Sequence, residues 1–231
     1  MVDGDDSLES NFLDVYAELV KTFPESDVYS TSFTVIQEEK VVEQPELEKD
    51  VMCYSKDEAM VAFFYRKPRF LLPTLLLSAE FIRENSLLFD ENVRYSEDVH
   101  YIWRVLAHNK KPLIHSSYSG YRYIMHPGST MTSSGTEKIL TWKKGFERLD
   151  TEIHYLLPKS IQESFVPVCH FSVLHGASKS TDYSAFKEIY NRIEADKHLD
   201  FSGLRVPLKI RIVTTLLKYF PYMGFVILKK F

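Results

Sequence analysis

Three short groups of side chains in this chain have the types and spacing to do chemistry. Asp3-Gly4-Asp5-Asp6 puts three carboxylates on four positions. Charges of one sign at that density repel unless a cation sits among them, and a hard divalent ion with oxygen ligands is the usual one. Glu97-Asp98 follows Ser96 at the head of an apolar-periodic run. Acids there complement the helix dipole by about 0.3–1 kcal/mol, which is a sufficient structural reason for the pair. The same dipole keeps a carboxylate ionised, and an ionised Asp98 can take a proton from an attacking hydroxyl. His126-Pro127-Gly128-Ser129 reads as a turn in which His126 and Ser129 can face one ligand. Taken alone, a single histidine is more often a surface or core residue than a ligand.

These groups need elements to position them. An acidic cluster of this kind normally hangs from the C-terminal end of a buried strand in an α/β sheet. Ser7 reads as the cap of a helix with the stripe Leu8, Phe12, Leu13, Tyr16, Leu19 and Val20, ending before Pro24. Residues 27–36 are β-branched and aromatic and read as a strand, turning at 37–39 into a second strand at 40–42. The charged stretch 45–56 reads as a loop, 57–65 as a helix, and 70–83 as another helix with Pro73 in its first turn. Leu87-Leu88-Phe89 reads as a short buried segment. Ser96 then caps a helix whose apolar face is Val99, Ile102, Trp103 and Leu106. Residues 112–115 and 118–125 read as two short strands.

Everything after Thr136 reads as helix. Ile139, Trp142, Phe146, Leu149, Ile153 and Leu156 keep helical spacing, and further runs cover 161–177, 183–196 and 206–231, the last broken only by Pro207 and Pro221. The expected organisation is an α/β domain over 1–133 and a helical region over 134–231.

The bulk numbers are those of an ordinary globular protein: 231 residues, 45% apolar and 26% charged. Cys53 and Cys169 stand in no metal-ligand spacing and read as two thiols in a reducing compartment. The first residues show no charged-then-apolar leader pattern, so export by a signal peptide is not expected, and no apolar run is long enough to span a bilayer. The net charge of −4 conceals a division of sign. Residues 1–60 carry 16 Asp/Glu against 4 Lys, whereas 205–231 carry six Lys/Arg and no acid. The acidic front argues against nucleic acid as a partner. The basic tail 206–231, interleaved with Leu, Ile and Phe, suits either peripheral contact with an anionic membrane or a terminal helix with solvated lysines. The expected location is cytoplasmic, on the inner face of the membrane where that contact is made.

Asp3-Gly4-Asp5-Asp6 on its own fits an acidic turn, the D-x-D element of a sugar-nucleotide-dependent transferase, or the box of a phosphatase-type hydrolase. In the last case Asp3 would be the nucleophile and Asp5 the acid/base. Taken together and in order, the motifs resemble the family-2 glycosyltransferases, inverting enzymes of the GT-A fold. That family's pattern enters D-[GS]-D-D from a strand, passes a helix and a hairpin to L-x-F-[DP]-E and then E-D, and ends in a tyrosine-rich strand with P-G-S. Matching segments are Val2-Asp3-Gly4-Asp5-Asp6, Leu87-Leu88-Phe89-Asp90-Glu91 and Tyr95-Ser96-Glu97-Asp98-Val99. Tyr118, Tyr121 and Tyr123 then precede His126-Pro127-Gly128-Ser129-Thr130. The resemblance covers about residues 1–133. It departs at Ile124, where many relatives carry Arg, and the family's nucleoside-binding first half is not matched.

The resemblance implies the C-terminal part of a GT-A fold followed by a helical region. It also implies sugar transfer, with inversion, from a nucleotide-sugar donor to a glycan or lipid-linked acceptor in cell-surface polysaccharide synthesis. Asp3 and Asp5 would hold Mg²⁺ or Mn²⁺, and Asp6 would be a further donor-side ligand. Asp98 would deprotonate the acceptor hydroxyl while Glu97 orients the site, and His126 and Ser129 would lie near the donor diphosphate. Two rivals stand beside this reading. One is a non-catalytic remnant or binding partner that keeps the acceptor-side fold. The other is the phosphatase-type hydrolase, which needs an acidic pair after an apolar strand, whereas Glu97-Asp98 opens a helix. A sheet without its first strands would leave an edge unpaired, so self-association is expected if Met1 is the true start.

Overall fold

Strand β2, Val28–Gln37, is the axis of the sheet: every residue from Val28 to Val35 is buried, as in a strand covered on both faces. The computed structural model describes residues 4–43, 49–93, 96–126, 136–193, 195, 199, 201 and 206–230, and side chains for all of these except 136–138. In chain order, β1 is Ser7–Leu8, α1 Phe12–Thr22, β3 Lys40–Glu43, β4 Val51–Tyr54 and α2 Lys56–Tyr65. A 3-10 turn at Leu72–Thr74 leads into β5, Leu75–Leu77, followed by α3, Ala79–Glu84, α4, Glu97–His108, and β6, Leu113–Met125. The sheet runs β1-β6-β2-β3, with β4 also paired to β6 and β5 also paired to β2. β2 and β6 are parallel and the other pairings antiparallel.

Strand alternation sorts the side chains onto two faces. On one, Phe12, Tyr16 and Leu19 of α1 pack against Tyr29, Phe33, Val35, Ile114 and Tyr121. On the other, Phe63 of α2 touches Trp103 of α4 and Phe70, and Phe70 meets His115 edge-on.

The register between β2 and β6 breaks once. Thr31 pairs with Ser116 but Phe33 pairs with Tyr121, so β6 spends five residues where β2 spends two. The excursion, a bulge in the sense of extra unpaired residues on one strand, is held by hydrogen bonds from several elements. Ser117 N–H donates to Asp50 O at 2.8 Å, Tyr118 N–H to Ser116 Oγ at 3.2 Å, and the Tyr118 hydroxyl to Asn11 Oδ1. A Cβ on Gly120 would stand 2.2 Å from the Tyr118 ring, so a larger residue there would require that ring to move.

Several elements differ from the sequence expectation. Ser7 caps nothing: it pairs with Arg122, Leu8 pairs with Tyr121, and the helix begins only at Phe12. Leu13 is consequently exposed while Phe12, Tyr16 and Leu19 are buried. The stretch 70–83 is not one helix, because Leu75–Leu77 is captured as a strand by Val28–Ser30 of β2; tertiary pairing overrides local preference. The helix that remains is short and capped by Ser78, whose Oγ accepts from Phe81 N–H at 3.4 Å. The stretch read as loop 45–56 contains β4, paired with Leu113–Ser116 of β6. The 112–115 and 118–125 strands are a single strand interrupted by the bulge. Of Leu87-Leu88-Phe89, only Leu87 is buried. Ser96 sits at φ 58°, not the extended backbone of an ordinary cap, and its carbonyl accepts from His100 N–H at 2.9 Å.

The chain divides into two compact units. One comprises Met1–Phe89, Tyr101–Pro127 and Leu156–Pro158, the other Asp90–His100, Gly128–Tyr155 and Lys159–Phe231. The second holds the long helices α5, Thr136–Ile153, and α6, Lys159–Ser180, with α7, Tyr183–Arg192, α8, Leu208–Tyr219, and α9, Pro221–Lys229. Its core includes Leu149, Ile161, Phe165, Leu174, Phe186, Val213 and Leu228, residues whose helical spacing marks them as inward-facing.

Candidate functional site

The acidic turn is built onto β6 by β1. Antiparallel pairing of Ser7 and Leu8 with Arg122 and Tyr121, extended by Glu9 N–H to Gly120 O at 2.9 Å, lays the start of the chain along the end of β6. Asp6 then reaches across. Its Oδ1 accepts the Ile124 backbone N–H at 2.8 Å, and its Oδ2 accepts the Tyr121 hydroxyl. Asp6 is half-buried, so these bonds are shielded from water and fix the Gly4-Asp5 turn against the strand.

Asp5, exposed, is thereby delivered to the end of β6, where its Oδ2 stands 3.8 Å from His126 Nε2. Both side chains are about half exposed, at 56% and 50%. As an ion pair this contact is worth little, at most about 1 kcal/mol. Both groups are open to solvent. Two of the three sequence motifs therefore meet here.

The exposed Asp5 carboxylate is the kind of oxygen ligand that Mg²⁺ and Mn²⁺ take. Its 3.8 Å separation from His126 exceeds the roughly 3 Å between neighbouring ligands of an octahedral ion with bonds of about 2.1 Å, so these two side chains alone do not make an ion site. Asp6 has spent one lone pair of each oxygen on β6 and offers only what is left. Asp3 and Ser129 lie outside the described residues.

Glu97 and Asp98 open α4 and belong to the other unit, with residues 90–100. Glu97 is exposed and Asp98 half-buried on the first turn. Preceding them, Asp90 is fixed by its own neighbours: Oδ1 accepts from Asn92 N–H and Nδ2, each at 2.9 Å, and Oδ2 is ion-paired with Arg148. Burial opposes its charge, but the Asn92 bonds, Arg148 and His100 together hold its carboxyl below the usual range. Asp90, His100 and Glu152 bring ligand-type atoms within 4.8 Å of one another. Arg148, 3.7 Å from Glu152, already supplies positive charge there, so this cluster reads as a salt-bridge network.

Sequence reasoning missed two things. The first is the role of Tyr121 and of the Ile124 backbone as the anchor for Asp6. The departure at Ile124 has a simple consequence: what position 124 gives Asp6 is a peptide N–H, which any non-proline residue provides. Arg122, two residues earlier, is ion-paired with Glu9. The second is a buried polar strip on the face opposite α1. His115 Nδ1 lies 2.7 Å from Ser30 Oγ, and Nε2 lies 3.3 Å from Ser32 Oγ. Burial disfavours the imidazolium and pulls the His115 pKa down to about 4. A serine-alternating strand (Ser30, Ser32, Thr34) opposite a histidine was the available signal.

No family model matches the chain, and neither does any curated protein. Similarity appears in solved structures. S. aureus TarS, a glycosyltransferase, is similar as its 1-349 fragment in complex with UDP-GlcNAc, at 15% identity and a TM-score of 0.58 over 99% of this chain and 65% of that one. A longer TarS structure matches at 13% identity and a TM-score of 0.56, over 99% of this chain and 39% of its own. The 1-349 fragment in another structure matches at 12% and 0.51, over 99% and 64%. This chain thus spans 65% of the length of TarS 1-349. At such identities the likeness is one of fold: a GT-A-like α/β fold followed by a helical C-terminal region.

Proposed function

We propose that the chain is a glycosyltransferase, or part of one, of the inverting family-2 type. It would move a sugar from a nucleoside-diphosphate donor to a hydroxyl of a glycan or lipid-linked acceptor in cell-surface polysaccharide synthesis. The observation that carries this reading is the meeting of Asp5 and His126, at 3.8 Å, on a fold shared with TarS. The UDP-GlcNAc bound by TarS makes a UDP-sugar the donor of first choice.

In this reading Asp3 and Asp5 hold Mg²⁺ or Mn²⁺, and Asp6 keeps Asp5 at the strand end. The ion, when bound, supplies Lewis-acid stabilisation of charge on the departing diphosphate. His126 and Ser129 contact the donor diphosphate. Asp98 accepts the proton of the acceptor hydroxyl as its oxygen bonds to the anomeric carbon, and Glu97 orients the acceptor side. The bond from that carbon to the diphosphate breaks on the opposite face, its electron pair leaving with the nucleoside diphosphate. One in-line displacement gives inversion.

Asp98→Asn keeps the size of the side chain and removes its capacity to take up the proton. Transfer to acceptor is expected to fall by at least about a hundredfold, with UDP-GlcNAc affinity in Mn²⁺ unchanged. Turnover equal to that of the natural chain would remove Asp98 from the role. A natural chain that binds no UDP- or GDP-sugar in calorimetry would instead favour a non-catalytic binding partner.

A further inference from the structure

The second unit presents a surface that the sugar-transfer reading does not use. Residues 218–223, Lys-Tyr-Phe-Pro-Tyr-Met, form the corner between α8 and α9, and all six are exposed. Tyr219 is 66% exposed, Phe220 59%, Tyr222 62% and Met223 52%. Four consecutive large apolar or aromatic side chains in water, interrupted only by proline, form the kind of patch that marks an interaction site.

This corner is not a frayed end. Gly224 lies against α8 so closely that a Cβ would stand 2.5 Å from Leu217 N, which brings the two helices backbone to backbone. Phe220 N–H donates to Leu216 O at 2.7 Å and Gly224 N–H to Phe220 O at 2.9 Å, carrying hydrogen bonding through the bend. Val213, Leu217, Phe225 and Leu228 are buried beneath it, and Phe225 packs on Phe186 at 4.9 Å between ring centres. Tyr222 meets Tyr183 edge-on at 5.0 Å. A well-packed inner face therefore holds the apolar outer face toward solvent.

Charge selects the occupant. From 201 to 230 there is no acid, while Lys218 is part of the corner and Lys229 and Lys230 close α9. Exposed Leu208 and Ile212 extend it along α8. A second copy meeting this one through the same face would bring like charge against like. Aromatic and apolar side chains on an acid-free, lysine-bearing segment suit the headgroup region of an anionic bilayer, where tyrosine rings sit at the interface and basic residues meet lipid phosphate. Among the described residues no helix is long and apolar enough to cross a membrane, so contact would lie in the plane of the surface.

We propose that the α8–α9 corner, led by Tyr219, Phe220, Tyr222 and Met223, inserts into the interface of an anionic membrane. It does so independently of donor binding. The test is flotation of the full chain with vesicles of phosphatidylcholine alone and of phosphatidylcholine with phosphatidylglycerol. Binding is expected only with phosphatidylglycerol and should weaken as salt is raised. The quadruple variant Tyr219→Ser, Phe220→Ser, Tyr222→Ser, Met223→Ser, and separately Lys218→Glu with Lys229→Glu and Lys230→Glu, should each weaken it by at least about tenfold with an unchanged circular dichroism spectrum. Failure of the natural chain to float with anionic vesicles would overturn the proposal. So would equal flotation of the folded quadruple variant, or a concentration-dependent dimer that the same variant abolishes.

Discussion

The acidic corner at residues 4–6 exposes Asp5 and the aromatic corner at 218–223 exposes Tyr219 to Met223, yet different physics holds each in place. At the first, a carboxylate reaches over a strand end and is tied there by a peptide N–H and a phenol, so its geometry depends on hydrogen bonds and on the β1–β6 register. At the second, a glycine lets two helix backbones touch, and the geometry depends on packing. The contrast bears on function. Ligating an ion needs one side chain fixed to a fraction of an ångström, which directional bonds provide. Resting on a soft surface needs only an apolar face held outward, and packing suffices.

Acid should disturb the sheet first. The His115 pKa in the folded chain, about 4, lies below the usual 6.5. Between those values the unfolded chain therefore binds more protons than the folded one. Stability contributed by keeping this imidazole neutral is complete above pH 6.5 and is lost as pH falls through 4. The size is up to about 3 kcal/mol. Denaturant titrations at pH 7 and pH 4 measure it, and His115→Gln should remove much of the slope in that window.

Gly224→Ala comes next, because the new methyl meets Leu217 backbone, which cannot swing aside. A loss of about 2 kcal/mol is expected, seen as a lowered denaturant midpoint with the site at Asp5 unaltered. Asp6→Ala should cost about 1–2 kcal/mol, since the Tyr121 hydroxyl and Ile124 N–H lose their acceptor. Unlike Gly224→Ala, it should also weaken manganese-dependent donor binding by releasing Asp5. Smallest of all is Asp5→Asn, expected to change stability by less than about 0.5 kcal/mol, as befits an exposed side chain. A large destabilisation by Asp5→Asn would mean that the acidic corner is structural throughout.

How much of this could be read from the sequence depended on how local each feature is. The helices after 136 were legible because Ile139, Phe146, Leu149 and Ile153 keep helical spacing over several turns. Strand β2 was legible from its β-branched run. Strand β6 read as two pieces, 112–115 and 118–125, because Ser116-Ser117 has turn-like composition, whereas the bulge itself runs on to Gly120. Leu75–Leu77 has no period of its own, and only Val28–Ser30 makes it a strand. Ser7 resembled a cap because its partner, Arg122, is remote in sequence. The same distance hid the anchoring of Asp6, though the three motifs themselves were visible, and two of them meet at Asp5 and His126.

Under the proposed function, Asp5, held at the end of β6, helps bind a cation and a nucleotide-sugar. Calorimetric titration of the chain with UDP-GlcNAc, with and without Mn²⁺, tests it most directly when repeated on Asp5→Asn. The expected result is saturable binding that requires manganese and weakens by at least about tenfold in Asp5→Asn. Binding that ignores manganese, or is equal in the two proteins, would contradict the account.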